Sequence, residues 1–229
     1  MKLVFCDLDG TLEDSRIDMA RAVQGVRMNF DLDPREVEDW TGQVNRGMEA
    51  LYRSCFSELF AQSGPPGSES DLETLEKIQD AYEAEYYEHV AEHTKLYPGI
   101  KAALEALDEI ATLALYTNKP QRHSRKLLLE LEVSTHFSYI IGCDTFSVMK
   151  PAREPMAEIA QHAEFDPAKD QAYMIGDTAG DMKAARAFNA TAIWCAWGYN
   201  ADPPADPAPD HRAERPEDLP GLITNASGS

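Results

Sequence analysis

A chain of 229 residues with 43% hydrophobic content is long enough to bury one sizeable core, or a core domain carrying a smaller inserted one. Its 21 basic and 40 acidic residues give a net charge of -19, which opposes binding to nucleic acid or an anionic membrane but not to a small anion met by a local positive centre. No run approaches roughly 18 uninterrupted apolar residues, the apolar start is cut short by Asp7, and Cys6, Cys55, Cys143 and Cys195 lack a CxxC pair. These features predict no membrane span, no signal sequence, reduced thiols and a cytoplasmic location.

The first short apolar run, residues 3–6, is strand-like and leads into Asp7-Leu8-Asp9-Gly10-Thr11. Residues 15–94 then show helical patterns, over 17–30, 46–61 and 72–93, with a Gly/Pro/Ser loop at 63–70. Strand-like runs resume at 112–116, 138–141, 171–175 and 191–195, separated by helical patterns over 100–107, 120–131, 153–163 and 180–188. The strand runs lack clean polar alternation, which predicts burial on both faces. Strands alternating with helices predict an α/β fold, a Rossmann-like parallel sheet covered by helices. The gap between the first and second strands far exceeds the roughly 30 residues of a βαβ unit, so an all-helical subdomain is inserted there. The expected organisation is a core of residues 1–14 and 95–224, a helical insertion over 15–94 and a tail over 225–229. Residues 201–209, rich in proline, are expected to form a surface loop.

Open α/β sheets gather ligands at the carboxyl ends of their strands, so the residues following each apolar run are the candidates for chemistry. Those are Asp7, Asp9, Gly10 and Thr11, then Thr117, Asn118 and Lys119, then Lys150, then Asp177 and Asp181. Asp-Leu-Asp also occurs at Asp31–Asp33, but that copy follows a helical stretch and runs into Pro34, which suits a helix terminator.

Carboxylates beside a lysine at a strand edge suit a hard, oxygen-seeking cation such as Mg2+, which takes one or two carboxylates and leaves room for a phosphate; Asp7 and Asp177 are the natural ligands. Two neighbouring carboxylates can take opposite roles. Asp7, held by metal and Lys150, would stay ionised and attack phosphorus, while Asp9 would protonate the leaving oxygen and later activate water. Thr117 and Asn118 precede Pro120 at a helix start, where they either cradle phosphate oxygens or simply cap the helix. Asp181 either turns back to the strand edge or is a first-turn acid favoured by the helix dipole. In the insertion, Arg46 lies in a stretch with Gly42 and Gly47 and is either a reader of a substrate anion or a surface arginine. His89-Val-Ala-Glu-His93 matches an inverted zinc-peptidase pattern, yet Glu83, Glu85, Glu88 and Glu92 make a solvated acidic face the expectation there. G-x-S-x-G, G-x-x-x-x-G-K and G-x-G-x-x-G are absent.

The ordered set DLDGT, TN, KP and GDTAGD resembles the four motifs of the haloacid dehalogenase-like hydrolase superfamily, over residues 3 to about 198. The resemblance implies Asp7 as nucleophile, Asp9 as acid/base, Thr117 and Asn118 on the phosphoryl group and Lys150 neutralising charge. It also implies that Asp7, the Asp9 main-chain carbonyl and Asp177 hold Mg2+, with Asp181, Gly10 and Thr11 in support. The insertion resembles a C1-type cap, and YTNKP with WGYN resembles the phosphoglycolate phosphatase branch. Arg153 stands where relatives often carry a second proline, and Asn189 where glycine is usual. The expected function is a Mg2+-dependent phosphatase acting on a small phosphorylated metabolite, phosphoglycolate first, through an aspartyl-phosphate, as a monomer or homodimer. The alternatives are a β-phosphoglucomutase-like phosphotransferase and a non-catalytic phosphate-binding protein; a dehalogenase would leave Asp9 superfluous.

Overall fold

The computed structural model describes residues 1–44 and 47–225. The chain divides into two compact units, Met1–Asp14 with Lys95–Ser229, and Ser15–Thr94.

The first unit is built on a six-stranded parallel sheet. In chain order the strands are β1 (Lys2–Cys6), β4 (Thr112–Tyr116), β5 (Phe137–Ile141), β6 (Gln171–Gly176), β7 (Thr191–Cys195) and β8 (His211–Ala213), with two-residue strands β2 (Glu13–Asp14) and β3 (Lys95–Leu96) forming a separate antiparallel ribbon. Spatial order is β5-β4-β1-β6-β7-β8, so the chain winds outward from β1 to one edge and then restarts on its other side. The gap between β1 and β6 is therefore the switch point where ligands collect in such sheets. Consecutive residues of the central strands are buried, Val4 and Phe5 alike, because helices cover both faces. Phe5, Tyr116, Met174 and Trp194 pack with Met156 and Ile159 of α8 (Glu154–His162) and Met182 and Ala185 of α9 (Ala179–Phe188). On the other face Tyr173 reaches α10 (Leu219–Asn225), its hydroxyl donating to the Ile223 carbonyl at 3.2 Å. α6 (Ile100–Asp108) and α7 (Gln121–Glu130) bracket β4 in sequence.

Two residues that depart from the superfamily pattern have local explanations. Asn189 ends α9 in the left-handed region at φ +64, a conformation glycine adopts most easily and asparagine next. The Arg153 guanidinium lies over the Phe188 ring, 5.7 Å from its centroid.

The second unit is all-helical: α1 (Arg16–Asn29), α2 (Glu38–Thr41), α3 (Met48–Cys55), α4 (Ser57–Phe60) and α5 (Glu69–Glu88). α1 ends where Asp31 turns left-handed at φ +54. Tyr82 is sandwiched between Tyr52 and Tyr86, with centroids 5.4 and 5.8 Å away. Buried Arg27 donates to the Cys55 and Asp33 carbonyls and to Glu58 Oε1 at 2.8 Å. The expected helix over 46–61 is broken at Phe56, because the Cys55 carbonyl is taken by Arg27. The expected helix over 72–93 stops at Glu88, and His89–His93 are turns. His89 Nδ1 sits 2.6 Å from Glu92, and His93 Nδ1 sits 2.8 Å from Asp18, so the two imidazoles do not share a helical face as zinc would require. Asp18, fully buried, also accepts from the main-chain N–H groups of His93 and Thr94 at 2.8 Å each and from the Thr94 hydroxyl at 2.8 Å. No described helix is long and apolar enough to cross a membrane.

Candidate active site

The carboxyl ends of β1 and β6 bring Asp7 and Asp177 to either side of the switch point. Asp7 continues the β1 ladder through its N–H, which donates to the Ile175 carbonyl at 2.9 Å. Gly10 follows with φ +79; a Cβ there would lie 2.6 Å from Asp177 Oδ2, so only glycine permits both the turn and the close approach. Asp181 belongs to a capping box at the start of α9, its Oδ2 accepting from the Thr178 N–H at 2.9 Å and hydroxyl at 2.6 Å. That cap turns the Asp181 carboxylate back to the strand edge. Carboxylate oxygens of Asp7, Asp177 and Asp181 lie within 4.8 Å of one another, and all three residues are buried.

One ammonium faces this cluster. Lys150 Nζ lies 2.7 Å from Asp7 Oδ1 and 2.6 Å from Asp181 Oδ1. Burial alone would lower its proton affinity, but the two carboxylates overcome that and hold it firmly charged. Burial, and then repulsion from Asp181, pushes the Asp7 carboxyl up to about 8 against the pull of Lys150. Burial and Asp181 likewise raise Asp177 to about 6, although the Tyr199 N–H and Thr11 hydroxyl oppose the shift. Three desolvated carboxylates against one cation leave negative charge uncompensated, which a divalent cation with oxygen ligands would offset.

The loop after β7 holds Asp177 in place. The Tyr199 N–H donates to Asp177 Oδ2 at 2.8 Å, the Asn200 side-chain amide donates to the Asp177 carbonyl at 2.9 Å, and the Trp197 indole N–H donates to the Thr11 carbonyl at 2.9 Å. The Thr11 hydroxyl completes the set on Asp177 Oδ1 at 3.2 Å.

At the end of β4, Thr117 is buried and its hydroxyl accepts from the Lys119 N–H at 3.1 Å. Exposed Asn118 donates from its side chain to the Lys150 carbonyl at 3.2 Å. Asp9 does not join the carboxylate cluster through its side chain. Its Oδ1 accepts from Lys119 Nζ, which also lies 4.0 Å from Glu13. Lys119 is among the strand-end candidates marked by sequence, but without a role or a partner, whereas nothing local marks Glu13. Arg46 lies outside the described residues.

A Rossmann-ordered sheet with clustered carboxylates at its switch point places the chain among α/β proteins whose chemistry sits at strand ends. The family model for haloacid dehalogenase-like hydrolase matches residues 4–195, and the chain belongs to that family. It is 34% identical over 201 residues to a phosphoglycolate phosphatase of Chromobacterium violaceum, covering 87% of this chain and 86% of that one. It is 30% identical over 229 residues to a phosphoglycolate phosphatase of Aquifex aeolicus, covering 98% of each. Its fold is similar to a solved structure from Haemophilus somnus described as a predicted phosphoglycolate phosphatase, with TM-score 0.79, 24% identity and 97% of each chain covered.

Proposed function

We propose that this chain is a metal-dependent phosphatase that hydrolyses a small phosphorylated metabolite, with phosphoglycolate the first candidate, through a phosphorylated Asp7. The observation that carries this reading is the buried Asp7 carboxylate at the end of β1, 2.7 Å from Lys150 and clustered with Asp177 and Asp181. The family and the names of the two relatives above support it. The donor set is all oxygen and carries excess negative charge, which fits Mg2+ held by the Asp7 and Asp177 carboxylates and the Asp9 main-chain carbonyl. When bound, the ion would offset charge on the phosphate oxygens and keep Asp7 ionised.

The chain's own residues would then act in two steps. An Asp7 oxygen attacks phosphorus; the new P–O bond forms as the ester P–O bond breaks, and the departing oxygen takes a proton from the Asp9 carboxyl. The products are an alcohol and phospho-Asp7. Water then attacks the same phosphorus, giving its proton to the Asp9 carboxylate, and the P–O bond to Asp7 breaks to release orthophosphate. Lys150 stabilises the negative charge on the transferring group, and Thr117 and Asn118 orient its oxygens. The Ser15–Thr94 unit is the candidate cap, and Arg46 within it the candidate reader of a substrate anion.

Phosphate release from phosphoglycolate in Mg2+ is the direct test. Asp7→Asn, which keeps the side-chain shape, should lower turnover by about 10³-fold or more while the protein stays folded. EDTA should abolish activity and Mg2+ restore it. Activity that survives Asp7→Asn, or phosphate moved between sugar phosphates in place of release, would overturn the reading.

A further inference from the structure

The Lys119 side chain is 4% exposed, yet the main mechanism leaves it without a task. Its Nζ pairs with Asp9 Oδ1 and lies 4.0 Å from Glu13 Oε1, while the Glu13 side chain is fully buried. An ammonium withdrawn from water between two carboxyl groups is a weak source of stability, because desolvation offsets most of the attraction, and burial with repulsion from Asp9 pushes the Glu13 carboxyl well up towards its neutral form. Its value lies in fixing geometry.

The surrounding main chain is arranged to hold that geometry. The Lys119 N–H donates to the Thr117 hydroxyl at 3.1 Å, and its carbonyl accepts from the Cys143 N–H at 3.3 Å. A side chain on Gly142 would strike the Gln121 main chain and the Lys119 carbonyl, so this turn is closely packed from behind. On the facing loop, the Gly10 N–H donates to the Glu13 carbonyl at 2.9 Å, tying the Asp9–Gly10 turn to the ribbon that carries Glu13. Two braced loops are thus joined through one ammonium, and the group it grips is the carboxyl of Asp9.

From this we propose that Lys119, backed by Glu13, is a positioning residue for leaving-group protonation. By holding Oδ1 of Asp9 it fixes the rotation of the carboxyl group relative to phosphorus, so that the acid's proton passes to the ester oxygen as the P–O bond breaks. The inference rests on the phosphatase reading, with Asp9 as the general acid. It concerns orientation and assigns Lys119 no contact with substrate.

Leaving groups separate this role from the others. A poor leaving oxygen, such as an alkoxide, needs protonation as it departs; p-nitrophenolate does not. The experiment measures kcat/KM, which reports steps up to leaving-group departure, for wild type, Lys119→Met and Lys119→Arg in Mg2+. The substrates are phosphoglycolate, ethyl phosphate and p-nitrophenyl phosphate. Lys119→Met should lower kcat/KM by about 10²-fold for both alkyl esters, with a far smaller loss on p-nitrophenyl phosphate. Should Lys119→Met fail to fold, Lys119→Arg carries the test, since it keeps the cation and displaces its donor atoms; the same split is expected at smaller size. Equal losses on all three esters would overturn the proposal in favour of general support of the site. A loss confined to phosphoglycolate and expressed in KM would overturn it in favour of direct contact with the substrate carboxylate. If the wild-type protein turns over none of the three, the phosphatase reading fails first and takes this inference with it.

Discussion

Asp177 shows how a single buried carboxylate is oriented by the groups around it. Both of its oxygens and its own carbonyl accept hydrogen bonds, from Thr11, Tyr199 and Asn200, so its orientation is set before any ligand arrives. Asn200→Ala removes one of these supports without altering a carboxylate. Mg2+ affinity measured by titration calorimetry should fall about tenfold, the lower end of what outer-sphere substitutions cost. Residues of this kind divide into those that sequence marks and those it hides. Asp7 and Asp177 stand just after strand-like runs, Asp181 at a helix start and Lys150 a short distance beyond a strand-like run, so their meeting at one sheet edge could be inferred from spacing. Asp9 and Lys119 are both marked by their strand ends, but their pairing is not: they stand 110 positions apart, and no local pattern announces a contact that arises only when β1 and β4 lie side by side. Glu13 is hidden for the same reason, its burial set by tertiary packing on an acidic residue that sequence alone assigns to the surface.

The start of α9 serves stability and the site at once. Thr178 accepts from the Asp181 N–H at 3.3 Å and donates to the Asp181 carboxylate at 2.6 Å, so one cap both begins the helix and holds a carboxylate against Lys150. Thr178→Ala should cost about 1 kcal/mol, read as a lower urea midpoint with an unchanged slope, and Thr178→Ser should retain most of it. Five of the six sheet strands were evident from apolar runs. β8 was not, because His211–Ala213 is short, polar and paired at the edge, with burial concentrated on Ala213. Helices in the Ser15–Thr94 unit were recognised by period but not by end. Periodicity continues through Phe56 and through His93, whereas the real stops come from side chains distant in sequence: Arg27 captures the Cys55 carbonyl, and Asp18 captures His93 and Thr94. Tertiary hydrogen bonds override a pattern that is locally intact.

Across the whole molecule, an excess of 19 negative charges makes ionisation a matter of stability as well as chemistry. Asp7 and Asp177 ionise near 3.8 when unfolded, but burial, with repulsion from Asp181, raises them to about 8 and about 6 in the fold. Between those limits the folded metal-free protein holds protons that the unfolded chain has released, so stability falls as pH rises. In EDTA, the melting temperature should decline from about pH 5 to about pH 8. Mg2+ should reverse the decline, and its effect should grow with pH because a cation replaces the protons. Asp7→Asn should flatten both trends, which separates the site from general charge repulsion; scanning fluorimetry at matched ionic strength would report all three. At the same scale, the ribbon of β2 and β3 sets Asp14 opposite Lys95, so the Ser15–Thr94 unit leaves and re-enters the core at adjoining residues. A stretch of polypeptide spliced in through so narrow a gate is a self-contained insert. Exchanging it for a different insert on the same two stems would leave every backbone pairing of the main sheet in register, a graft point at which evolution or an engineer can work without reopening the sheet's carboxyl edge.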